Sequence, residues 1–108
     1  MGGRDLFDIW VGADGVLWLS GEFDLAAVDT FMRVACDSID GQHEVVLDLS
    51  NVRFLDSAGV RAITTFSNVC KAGLVLRSPS NKISRVIDLV GIDGRNGIRV
   101  ERDAAPAS

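Results

Sequence analysis

The 108-residue chain has no tyrosine, one histidine, two cysteines and two prolines, and it has no long apolar run. Two cysteines are too few for a disulfide framework, and neither Cys36 nor Cys70 has a cysteine or histidine neighbour at metal-ligand spacing. Both fall on apolar helical stripes, so both are expected to be reduced, buried thiols. His43 stands in a Gly41-Gln42-His43-Glu44 connection without an assignable Ser or Cys partner, and is expected to be a solvated loop residue. The aliphatic stretches are short and the first twenty positions include Asp5, Asp8 and Asp14, so neither membrane insertion nor a signal core is expected. The expected location is the cytoplasm. Met1-Gly2 starts a myristoylation pattern, but Leu6 stands where that pattern needs Ser or Thr. A glycine-rich loop ending in Gly-Lys-Ser/Thr is missing, which argues against autonomous nucleotide hydrolysis. A Gly-x-Ser-x-Gly elbow is missing too, and the carboxylates are scattered over caps, turns and exposed strand positions. No catalytic residue, metal site or cofactor is expected, and the chain is not read as an enzyme.

What is present suits one globular domain: 47% hydrophobic and 24% charged residues support a core, and the length leaves no room for a second domain. The net charge of −4 argues against a surface that neutralises several phosphates, so direct nucleic-acid binding is not expected. The charge is uneven, since residues 1–57 hold 3 basic and 11 acidic side chains while residues 58–108 hold 8 and 4. Mutual screening of the two halves in the folded domain is the reading taken, with a dedicated basic docking face as the alternative.

Phe7, Ile9 and Val11 alternate with Asp8 and Trp10, and Asp14-Gly15 marks a turn before 16–19, which predicts an opening hairpin. Leu25, Val28, Phe31, Met32, Ala35, Cys36 and Ile39 share one helical face, with Asp24 as the expected N-cap and Gly41 as the stop. Residues 45–49 predict a buried central strand. A second helix is expected over 58–71, with Ala62, Ile63, Phe66, Val69 and Cys70 on its stripe and Gly73 as its stop. Residues 74–76 make the next strand. A third helix follows, with Ser78 as cap, Pro79 in its first turn and Ile83, Val86, Ile87 and Val90 buried, and Gly91 closes it. Residues 98–100 form a last strand and 102–108 a flexible tail. The order β-β-α-β-α-β-α-β predicts an α/β domain with a mixed, mostly parallel sheet, its later strands linked by right-handed crossovers.

The informative segment is the strand-to-helix connection Phe54-Leu55-Asp56-Ser57-Ala58-Gly59-Val60, which places the Ser57 hydroxyl at a helix N-terminus. On chemistry alone Ser57 reads as an N-cap, Asp56 as a charge favourable to the helix dipole, and Gly59 as a small residue permitting close packing.

Three segments in register change that weighting. Gly21-Glu22-Phe23-Asp24, then Val46-Leu47-Asp48-Leu49, then Phe54-Leu55-Asp56-Ser57-Ala58-Gly59-Val60 resemble the STAS domain of bacterial anti-sigma factor antagonists. Val75-Leu76-Arg77-Ser78-Pro79-Ser80-Asn81-Lys82-Ile83 and Ile87-Asp88-Leu89-Val90-Gly91-Ile92 are similar to that family's later strand and helix, so the resemblance covers about residues 5–101. It implies a phosphorylation-controlled protein-binding switch with Ser57 as phosphoacceptor. The docking surface it implies comprises Gly21, Glu22 and Asp24 with Asp56, Ser57, Ala58, Gly59, Val60 and Arg61. The implied partners are an anti-sigma factor with serine-kinase activity, which supplies ATP and Mg²⁺, and a phosphoserine phosphatase; a weak homodimer is left open. Other STAS modules are accessory subunits of lipid-transport ATPases or parts of stress-sensing assemblies, which is the alternative. Many members continue into a long C-terminal helix, which is expected to be missing here. Arg61 has two readings, a solvated side chain or a partner for a phosphate on Ser57.

Overall fold

The opening hairpin pairs β1 (Asp8–Val11) with β2 (Leu17–Phe23) antiparallel, from Asp8 opposite Ser20 to Val11 opposite Leu17. This is a computed structural model, and it describes residues 6–102. The tail expected beyond residue 102 lies outside the described residues. From β2 the chain runs through a single 3₁₀ turn (Leu25–Ala27) into α1 (Val28–Cys36), β3 (Val45–Leu55), α2 (Ser57–Ser67), β4 (Leu74–Arg77), α3 (Asn81–Val90) and β5 (Ile98–Glu101). The five strands lie in sequence order, with β2 to β5 all parallel. The mixed, mostly parallel α/β domain read from the sequence is therefore what forms.

Sequential order has a geometric consequence. Each right-handed crossover moves one strand in the same direction, so all the crossover helices fall on one face of the sheet. Leu17, Leu19, Leu47, Leu49, Leu74, Leu76 and Ile98 alternate onto that face and join one core with Phe31 and Ala35 of α1, Ala62, Ile63 and Phe66 of α2, and Ile83 and Ile87 of α3. A run of rings from Phe7 through Phe23 and Phe31 to Phe66, with centroids 4.8 to 5.4 Å apart, ties β2 to α1 and α2. On the opposite face one register row crosses the whole sheet: Trp10, Trp18, Asp48, Arg77 and Glu101. Within it the buried Asp48 carboxylate accepts from Arg77 Nε at 2.8 Å and from the amide and hydroxyl of Ser50, while the Arg77 guanidinium lies 5.2 Å from the Trp18 ring centre. Arg77 with Asp48 and Arg99 with Glu44 pair a basic side chain from the second half with an acidic one from the first, while Arg99 with Glu101 and Arg102 with Asp88 and Asp93 pair within the second half.

The structure corrects several boundaries. The first helix is shorter than expected because the Ala27 amide donates to Asp24 O, closing a 3₁₀ turn; the Asp24 side chain makes no cap bond, and α1 ends at Cys36, five residues before Gly41. Cys36, expected to be buried, is exposed; only Cys70 is buried. The second helix stops at Ser67 because the amides of Asn68, Val69 and Cys70 turn back to the third residue before them, unwinding the helix and leaving Val69 exposed. The third helix is capped by Ser80, whose Oγ accepts from the Ile83 amide, while Ser78 has a left-handed backbone before Pro79 and is not the cap. Val90 is exposed. Gly91 closes that helix in the left-handed conformation, as read. The central strand runs six residues past its expected end, to Leu55, which delivers the chain directly to the start of α2.

Candidate functional site

β3 enters α2 through one residue. Asp56 is extended, and its Oδ1 accepts from the Gly59 amide at 3.0 Å, so Asp56 is the N-cap and Ser57 the first helical residue. The capping role read for Ser57 therefore belongs to Asp56. Ser57 is exposed, and among the described residues nothing holds its hydroxyl. The physical reason is geometric: a carboxylate one position earlier already satisfies the first-turn donor that a serine cap would take.

The end of β2 is locked against this turn. The Asp56 amide donates to Phe23 O at 3.3 Å, and Gly59 lies so close to the same carbonyl that a Cβ there would collide with it and come within 2.7 Å of Leu55 Cδ1. Glu22 stands opposite Phe54 and Phe23 opposite Leu55. Gly21 has φ +90° and is buried beneath the Leu6 carbonyl. The structure thus brings both implied segments together but divides their roles. Gly21 and Gly59 are buried supports, whereas Glu22, Asp24, Asp56, Ala58 and Val60 are half-exposed and Ser57 and Arg61 exposed.

Beside this turn lies a groove of about 190 Å³ between the first helical segment and α2, lined by Leu25, Val28, Met32, Ala58, Arg61, Ala62 and Thr65. Leu25 is 75% exposed at its rim. Sequence reasoning put Leu25, Val28 and Met32 on a buried stripe and missed the groove. The available signal was Asp24, which stops the helical repeat one residue earlier and leaves Leu25 in a tighter turn. Arg61 forms no ion pair among the described residues and lines the groove one helical turn from Ser57.

The remaining polar features lie elsewhere. His43 is exposed, as read, and its Nδ1 lies 2.7 Å from Asp40; the ring and the amides of Gln42 and His43 hold the Asp40 carboxyl well below the usual carboxylate range. A depression of about 660 Å³, lined by Glu44, Lys71, Asn96 and Arg99 among others, sits where the parallel strands begin, at the other end of the sheet from Ser57. Ser57 stands at the opposite end, just past the carboxyl end of β3. Among the described residues, no three His, Cys, Asp or Glu side chains converge on a metal position, and no helix is long and apolar enough to cross a membrane.

Residues 9–100 match a family model described as "Mlab, STAS domain". No curated protein matches the chain.

Proposed function

The chain belongs to the STAS domain family, and on that premise we propose that it is an anti-sigma factor antagonist, a protein switch that binds an anti-sigma factor kinase and so frees its sigma factor. The observation that carries this reading is the exposed, unheld hydroxyl of Ser57 on the first residue of α2, next to a half-exposed surface built from two chain segments. The partner brings ATP and Mg²⁺, and the γ-phosphoryl group passes to Ser57 Oγ with release of ADP and the hydroxyl proton. The product adds about −1.5 to −2 charge beside Asp56. In the free domain that charge faces water and the first-turn amides. In the complex it must be desolvated against the partner, which weakens binding.

Incubation with the cognate kinase and Mg-ATP is expected to add one phosphate to Ser57 and none to Ser57→Ala, read by intact mass and peptide mapping. Incorporation only at another residue, or undiminished incorporation in Ser57→Ala, removes Ser57 from the mechanism. Recovery of a transport ATPase as the stable partner, with no phosphotransfer, would move the reading to an accessory subunit.

A further inference from the structure

The two edges of the sheet are finished differently. On β5 three of the four outward groups are already used: the Ile98 amide donates to Arg95 O at 2.8 Å, Ile98 O accepts from the Gly94 amide at 2.9 Å, and the Val100 amide donates to Asp93 Oδ1 at 3.3 Å. Charges of Arg99, Glu101 and Arg102 crowd the same edge. A strand edge closed in this way cannot accept another strand.

On β1 the hydrogen-bonded pairs are Asp8 with Ser20 and Trp10 with Trp18, continuing to Gly12, whose amide donates to Val16 O. Alternation then turns the N–H and C=O of Ile9 and Val11 outward. The Ile9 amide is held by the exposed Asp8 side chain. The Ile9 carbonyl and both Val11 groups have no partner among the described residues. Leu6, Trp10 and Val11, 69, 43 and 50% exposed, lie along this edge, and Asp8 is the one charge on the strand.

We infer that the outer edge of β1 pairs antiparallel with β1 of a second copy of this chain, joining two five-stranded sheets into one of ten strands. The edge is its own complement about a two-fold axis. With Trp10 on the axis, Ile9 faces the second copy's Val11, and each Val11 amide donates to the Ile9 carbonyl across the interface. In that register Trp10 faces its own copy at a non-hydrogen-bonded site, where side chains approach most closely, so the aromatic row of Trp10 and Trp18 runs on through the interface. Asp8 falls opposite Gly12, so no like charges face each other, whereas a foreign strand has no such built-in match. A strand of four residues buries less than the roughly 1,200 Å² at which stable interfaces begin, so the dimer is weak, with a dissociation constant on the order of 100 µM.

The test is sedimentation of the full chain from about 10 µM to 1 mM under reductant, which keeps the exposed Cys36 from cross-linking copies. Wild type is expected to shift from monomer to dimer across that range. Val11→Pro removes the outward donor at an edge position where Trp10 before it is already extended, and is expected to weaken the dimer at least tenfold, with thermal unfolding of the variant monomer checking that it stays folded. Hydrogen exchange on wild type gives the same answer without a variant: protection of the Val11 amide rises with concentration and that of the Val100 amide does not. A monomer throughout the range, a dimer that Val11→Pro leaves intact, or a Val11 amide indifferent to concentration overturns the inference. None of these outcomes depends on Ser57 or on the kinase partner.

Discussion

Cys36 is the last residue of α1 and exposed, while Cys70 lies three residues beyond α2 and is buried. Burial pushes the Cys70 thiol up to about 11, and Cys36 nearby acts in the same direction. Because the thiolate is the nucleophile, a rise of about two units above an ordinary thiol cuts the reactive fraction about 100-fold, and burial restricts access further. Alkylation of the native protein at pH 8 should therefore modify Cys36 rapidly and Cys70 at least about 100-fold more slowly; comparable rates would contradict the packing at Cys70. The sign of the pH effect follows from the raised folded value. The folded state keeps the Cys70 proton longer than the unfolded chain, so this contribution to stability is whole below about pH 9 and fades as pH rises toward 11. At this scale the sequence was uneven: both thiols sat on the same kind of stripe, yet Cys36 at the last turn of α1 is exposed while Cys70, past the early end of α2, is buried. Asp48 was legible as part of a buried strand, but its partner Arg77 is 29 positions away and no local pattern announces it.

The start of α2 rests on the Asp56 carboxylate and the close fit of Gly59 against β2. Replacing Asp56 by Ala removes the bond to the Gly59 amide and is expected to cost about 1 kcal/mol, which in a domain of this size lowers Tm by about 4–8 °C. Asp56→Asn keeps an acceptor in place and should stay within a few tenths of a kcal/mol of wild type. Thermal unfolding of both variants decides this; equal losses would mean that the charge, and not the cap bond, holds the turn. The existence and order of these elements were readable from periodicity, because a stripe such as Ala62, Ile63 and Phe66 must be buried somewhere. Their ends were not. Helix termini are decided by single bonds, Ala27 to Asp24, Cys70 to Ser67 and Ile83 to Ser80, which compete with the hydrophobic repeat over one or two residues. The groove beside Ser57 was missed for the same reason, since Leu25 leaves the helix face only when the 3₁₀ turn forms.

For the whole molecule, sequential strand order places the helices on one face and leaves the other to the row from Trp10 to Glu101. The all-apolar run Leu74-Val75-Leu76 hid this arrangement, since parallel strands usually carry such runs when both faces are covered. Val75 is nonetheless buried, flanked in register by Val46 and Arg99. The candidate site was legible as a place, the strand-to-helix turn at Ser57, and the charge around that turn follows from the assembled fold. A carboxylate at position 57 would sit on the first turn of α2, where a negative charge interacts favourably with the helix end by about 0.3–1 kcal/mol, against repulsion from Asp56 next to it. The two effects nearly cancel in the free domain, so Ser57→Asp is expected to keep its Tm within about 3 °C of wild type. In the complex the added charge loses its water against the partner and stays beside Asp56, so the penalty falls on the bound state, and binding should weaken at least about tenfold. Phosphoserine, with more charge and a third acceptor oxygen, should weaken it further. Calorimetric titration against the proposed kinase partner, paired with thermal unfolding of the free variant, separates the two states. A folded Ser57→Asp protein that binds as tightly as wild type would sink the electrostatic switch, and an unfolded one would make Ser57 a structural residue.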